Sequence, residues 1–338
     1  MLYLTTRNNA DTYTAYKAIT SDCGLDGGRY VPFRIPQYTS EDIAAFACKS
    51  FNEVVANILN AFFSCRLNPE DLALEIGEQP VVLVPMNHRI VVAELWHSKQ
   101  ADFSYIVNSI YNKISTAECM NIVPSDWVQI AVRIAVIFGI YGNMLKNDII
   151  QAEQTIDFSV NNDNFTTPIA VWYCKKMGLP INMIICACEE DSNIWDFIHR
   201  GVFASAAASN ELLLGLERLV NGTFGVDETN KFVTAYQAGK VYSVDEERVP
   251  EFNGGFFCAV AGKNRAESTI NSLFRSNSYI IDPVTAICYG GLQDYRARTG
   301  GSNLTVLMAE STPLNFGNEI SNATGIAVEK LIDYIKLT

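Results

Sequence analysis

Basic residues are in short supply. The 338 residues hold 25 Lys and Arg against 37 Asp and Glu, a formal net charge of −12, and nowhere a basic run. Neutralising a phosphate backbone needs clustered cations, so a nucleic-acid-binding surface is excluded. Histidine is scarcer still: His88, His97 and His199 are the only three, and no spacing among them matches a zinc ligand set. Long apolar runs are missing as well. The longest, Ile130 to Tyr141, is broken by Arg133 and is too short to span a bilayer. No charged leader precedes an apolar stretch at Met1–Arg7, so no signal peptide is expected. Nine cysteines, an odd number without framework spacing, read as reduced thiols of a cytoplasmic protein. Cys186 and Cys188 lie in the apolar run from Met183 and read as small core residues rather than metal ligands.

What is present is an ordinary globular composition, 49% hydrophobic and 18% charged, in a chain long enough for two domains. Periodicity and turn residues place a strand near Tyr3, a helix over about Asp11 to Ile19, and a turn before Pro36. A helix opens at Ser40, another runs from Phe51 to Cys65, and Val81–Pro85 and Ile90–Trp96 read as strands joined by the polar turn Met86–Arg89. Helices follow from Phe103 and around Trp127 to Tyr141. Ile156–Val160 and Met183–Ala187 then read as buried strands on either side of a helix. Strands alternating with helices predict an α/β fold.

Several motifs resemble those of the threonine synthases. Thr6-Arg7 and Asp26-Gly27-Gly28-Arg29-Tyr30-Val31-Pro32 are similar to the family's N-terminal signature. Glu94-Leu95-Trp96-His97, leading to Phe103, resembles the segment that carries the cofactor lysine. Ala170 to Ile181, Trp195 to Phe203, Ser209 to Val220, Ser278 to Tyr289 and Thr305 to Phe316 continue the likeness. The resemblance implies an α/β fold of the fold-type II, tryptophan-synthase-β-like class of pyridoxal phosphate (PLP) enzymes, with a central mixed or parallel sheet flanked by helices. It implies an N-terminal αβ region over 1–92 and a remnant of the large domain over 93–338. A small subdomain of the family is missing between about 111 and 121.

The departures fall on the chemistry. Ser104 stands where the family has its Schiff-base lysine, and a hydroxyl cannot form an imine. No Ser-Gly-Asp-Thr-Gly loop occurs. The phosphate-loop glycines become Asp163 and Thr166 within Asn161, Asn162, Asp163 and Asn164, and a carboxylate opposes an anion nest. Val284 replaces a histidine, Glu310 the threonine that contacts the ring nitrogen, and Asn315 a lysine. No cofactor is therefore expected. His97, Ser104 and Glu310 are the residues of a vestigial cleft, and Asn161 to Asn164 with Thr166 those of a vestigial phosphate loop. Ser104 reads either as a helix-start serine serving backbone donors or as a nucleophile with His97 as base. His97 reads as packing or pocket lining. Glu310, if buried, would have a raised pKa.

Three functional readings follow, in this order: a pseudoenzyme acting as a binding, regulatory or partner-scaffold protein; an enzyme with altered, non-PLP chemistry in the old cleft; and a residual phosphate- or amino-acid-binding module. Retained threonine synthase activity would need another lysine, and Lys99 is the candidate. Loss of a packed subdomain uncovers apolar surface, which implies a protein partner or a homodimer.

Overall fold

The structure is a computed structural model that describes residues 1–72, 80–86, 89–98, 102–114, 125–161, 165–188, 193–204 and 210–335. The chain begins with a small antiparallel sheet of β1 (Leu2–Thr5), β2 (Tyr13–Thr14) and β3 (Tyr30–Pro32), in the order β2-β1-β3. The first helix, Ala15–Thr20, starts later than the sequence pattern suggests. Tyr13 and Thr14 are drawn into pairing with β1, and Thr14 then caps the helix through the Lys17 N–H. The Asp-Gly-Gly motif explains itself locally. Gly27 has φ of +73°, and a Cβ on Gly28 would lie 2.9 Å from the Thr5 Cβ. Asp26 ties the turn together, accepting from the Gly28 N–H at 3.0 Å and the Thr5 hydroxyl at 2.6 Å.

A six-stranded sheet forms the body. It comprises β4 (Val82–Met86), β5 (Ile90–Glu94), β6 (Ile156–Asn161), β7 (Ile181–Cys188), β10 (Phe256–Val260) and β11 (Leu304–Ala309). Their order is β10-β7-β6-β11-β5-β4, and only the β4–β5 hairpin is antiparallel. The sheet is therefore mixed, as the resemblance implied. A separate hairpin pairs β8 (Val202–Ala204) with β9 (Val241–Ser243). Residue 92, the proposed region boundary, lies within β5, and the proposed 111–121 gap falls largely on residues 115–124, outside the described ones.

Alternation along the strands sorts the core. Ile184, Cys186 and Cys188 of β7 face the helices Phe51–Phe63, Asp126–Lys146 and Thr166–Lys176, whereas Ile185 and Ala187 face Lys263–Asn277 and Pro283–Thr299. The Asp126–Lys146 helix is buried nearly all round, so the apolar run from Ile130 belongs to a core helix. It is the one helix among the described residues long and apolar enough to cross a membrane, and 83% of that stretch is inside the fold.

Polar clamps join the N-terminal sheet to this body. Arg218, on the Asn210–Phe224 helix, is fully buried. It donates to both Asp126 carboxylate oxygens at 2.8 and 3.1 Å and to the Tyr30 carbonyl at 3.2 Å. Its neighbour Glu217 takes a bidentate pair from Arg7 at 3.0 Å and a hydrogen bond from the Thr6 hydroxyl. Tyr3 accepts from Trp127 Nε1 at 3.1 Å and donates to the Phe62 carbonyl at 2.9 Å.

Removing Arg218 leaves half-buried Asp126 with Arg29, 3.7 Å away, as its remaining ion-pair partner. Arg218→Met is expected to cost about 1.5–3 kcal/mol of stability in urea unfolding, the range for lost hydrogen bonds to a charged group.

Candidate functional site

The parallel strands leave one topological switch point. From β6 the chain proceeds to β7 and then β10 on one side, while β11 returns on the other. The crevice beyond the carboxyl ends of β6 and β11 is where open α/β sheets bind ligands. Two adjoining cavities occupy it. The outer one, about 670 Å³, lies among the end of β5, the first turns of the Phe103–Ile114 helix, the Asp126–Lys146 helix and the loop after β11. The inner one, about 200 Å³, lies among the end of β6, the start of the Thr166–Lys176 helix, the start of the Pro283–Thr299 helix and the same loop. Arg133, Glu310 and Ser311 line both, forming a common wall.

Ser104 and Glu310 thus share one cavity. Ser104 is exposed, one residue into its helix, and the capping it was assigned belongs to another side chain: Asp102 Oδ1 accepts from the Tyr105 N–H at 2.9 Å. His97 is not among the residues lining either cavity. Its Nε2 lies 2.6 Å from Glu94 Oε2 and its ring stacks on Trp96 at 3.7 Å. Buried Glu94 also accepts from the Tyr279 hydroxyl at 2.6 Å, and burial together with the Glu94 charge pushes the Tyr279 pKa well up. The pairing of Ser104 with a His97 base is therefore not what the side chains form. Of the phosphate-loop residues, Asn161 lines the inner cavity and Thr166 opens the following helix, where Thr167 lines the cavity instead. Asn162, Asp163 and Asn164 lie outside the described residues, as does Lys99. Val284 lines the inner cavity and Asn315 the outer.

Sequence reasoning missed Arg133 and Asp282. Arg133 is the charge that interrupts the Ile130–Tyr141 run, and a lone cation in a buried stripe was the available signal. Its guanidinium lies 4.3 Å over the Phe103 ring, and its Nε donates to Thr167 Oγ1 at 3.3 Å. Glu310 Oε2 is 3.8 Å from Arg133, beyond a hydrogen bond. Burial lowers the Arg133 pKa and raises that of Glu310; each partner's charge opposes the shift, and Asp282 adds to the rise at Glu310. For this pair, loss of hydration outweighs mutual attraction. The Glu310 side chain keeps 39% of its surface open, as a wall residue facing cavities does. Asp282 caps the Pro283–Thr299 helix, accepting from the Val284 and Thr285 N–H groups at 3.0 Å. It is buried, and this raises its pKa in spite of those bonds.

Comparison with known proteins accords with this geometry. Residues 2–78 match the family described as Threonine synthase N terminus. "Threonine synthase-like 1" of Pongo abelii is 22% identical over 204 residues, taking in 55% of this chain and 26% of that protein. The threonine synthase of Saccharomyces cerevisiae is 23% identical over 194 residues, 50% of this chain and 38% of the enzyme. The chain thus spans only about a quarter to two-fifths of these curated relatives. PLP-bound threonine synthase from Brucella melitensis superposes with a TM-score of 0.78 at 17% identity, covering 99% of this chain and 94% of that one. The chain is similar to the threonine synthases. Its fold is theirs, as the motifs implied.

The expectation of no cofactor is corrected by the same finding. The Brucella structure holds PLP in the fold that this chain shares along almost its whole length, and the substitutions at Ser104, the 161–166 loop, Val284, Glu310 and Asn315 do not by themselves exclude the group. The described lining can be tested against PLP directly. It contains Ser104, Asn108, Arg133 and Glu310 but no lysine, so none of these side chains supplies the amine for an imine. The described residues do not fit covalently held PLP.

Asp282 gives a pH prediction. Its raised pKa means that its favourable contribution to stability is fully present below the unfolded carboxyl value of roughly 4 and is lost as pH rises through the folded value. Asp282→Asn keeps the helix-capping oxygen. Relative to this variant, the natural protein should lose stability as pH rises above about 4, read as urea midpoints.

Proposed function

We propose that this threonine synthase relative is a pseudoenzyme: a binding or regulatory protein, working as scaffold to a protein partner or a second copy, whose cleft takes a small ligand without forming an imine at residue 104. The observation that carries the reading is the cavity wall at Ser104. The cleft is retained at the switch point, with a volume suited to a small molecule, yet its described polar groups are hydroxyls, amides, carboxyls and one guanidinium. Lining of this kind binds and orients. Ser104 has no base assigned to it, since His97 is turned to Glu94, and nucleophilic hydrolysis lacks support on that account. PLP remains a candidate ligand, held through contacts other than an imine.

The test is absorption spectroscopy of the purified protein with added PLP, followed by borohydride reduction, intact mass and peptide mapping. The expected outcome is no stoichiometric phosphopyridoxyl adduct, whether or not PLP binds. A stoichiometric adduct on Lys99, with threonine formed from a phosphorylated hydroxy-amino acid, would overturn the reading and restore a PLP enzyme.

A further inference from the structure

Four charged side chains line the paired cavities among the described residues: Asp102, Asp282 and Glu310 against Arg133. Two of the carboxylates are already satisfied. Asp102 accepts from the Tyr105 N–H, and Asp282 accepts from two backbone N–H groups and the Thr285 hydroxyl. Arg133 is likewise occupied, by Thr167, the Gln129 carbonyl and the Phe103 ring. Glu310 differs. Among the described residues no donor lies within hydrogen-bond distance of its carboxylate; its oppositely charged neighbour is Arg133 at 3.8 Å, and the Asp282 charge also acts on it. With 39% of its side-chain surface open to the cavities and no protein donor in reach, the Glu310 carboxylate offers acceptor positions that an entering donor carrying positive charge can take.

We infer that Glu310 is the receptor for the ammonium group of a small organic amine, held at the common wall of the two cavities. The inference rests on the cleft-binding reading and narrows it to a ligand class. The geometry favours a cation over an anion. An anion would have to draw Arg133 from its existing partners and sit beside the carboxylates of Glu310 and Asp282. An ammonium group would meet open acceptor positions, with Thr285 and Asn161 lining the chamber behind. The inner chamber of about 200 Å³ equals the space of about six or seven waters at roughly 30 Å³ each, so it accepts a short chain.

The test is calorimetric titration of the full chain, near neutral pH and at fixed ionic strength, with propylammonium chloride and separately with sodium propionate. Fluorescence of Trp96, which lines the outer cavity, supplies a second readout. Propylammonium should saturate and propionate should bind more weakly. Glu310→Gln should weaken amine binding by about tenfold or more, the range for a hydrogen bond to a charged group. Arg133→Met, which removes the competing cation, should strengthen it. Tighter binding of propionate than of propylammonium would overturn the inference while leaving the cleft as a binding site. Saturation by neither would also overturn it; if PLP and inorganic phosphate then failed to bind as well, the cleft-binding reading would fall with it. Melting curves establish whether Glu310→Gln is folded. Where it is not, Arg133→Met decides, and weaker amine binding in that variant overturns the inference.

Discussion

The pair of buried Arg218 and half-buried Asp126 is the constraint on which the rest of the architecture depends. One guanidinium spans three elements that are far apart in sequence: the N-terminal sheet at Tyr30, the amino end of the central core helix at Asp126, and its own helix. Such a pair is poor evidence for net stability, because two charges have left water to make it. What it does supply is position. A planar donor fork meets a carboxylate in one orientation, so the core helix is fixed in rotation as well as in place.

That fixed rotation reaches the cleft. Gln129 and Arg133 follow Asp126 by three and seven residues, close to one stripe of a helix with 3.6 residues per turn. Setting Asp126 therefore sets where Arg133 meets Glu310. On the opposite wall, Glu94 fixes Trp96 and His97 through Tyr279, so the other cavity lining is also held from behind. At the common wall Arg133 is held by Thr167 and the Phe103 ring, whereas Glu310 has no donor within hydrogen-bond distance among the described residues.

The scaffold was legible in sequence because its motifs work through local backbone geometry. Asp26-Gly27-Gly28 is a turn whose conformation only glycine permits at little cost, and its reading needed no long-range information. The site was less so. That Ser104 and Glu310 share a cavity follows from the pairing of β11 with β5, which places Glu310 beside Leu95; no local pattern encodes it. The orientation of His97 depends on Tyr279 through Glu94, a contact between residues 185 apart. Asp102, two residues ahead of Ser104, competes for the same backbone donors, and spacing alone does not choose between a carboxylate and a hydroxyl. The cofactor expectation failed for another reason. It rested on the residues at Ser104, the 161–166 loop, Val284, Glu310 and Asn315, and substitutions at those positions do not by themselves exclude a group that a protein of the same fold holds.

The place of β11 in the sheet bears on how this protein is made. The strand of this sheet that comes last in the sequence lies in its interior, between β6 and β5, with parallel partners on both sides. Until residue 309 has left the ribosome, β5 with β4 and β6 with β7 and β10 are two half-sheets, each with an open edge. Those edges cannot be closed early by local contacts, since the strand that joins them is more than 140 residues from β6 and more than 200 from β5. Completion of the sheet is thus a late event of high contact order, and the interval before it is when the chain is most open to mispairing or to capture by a chaperone.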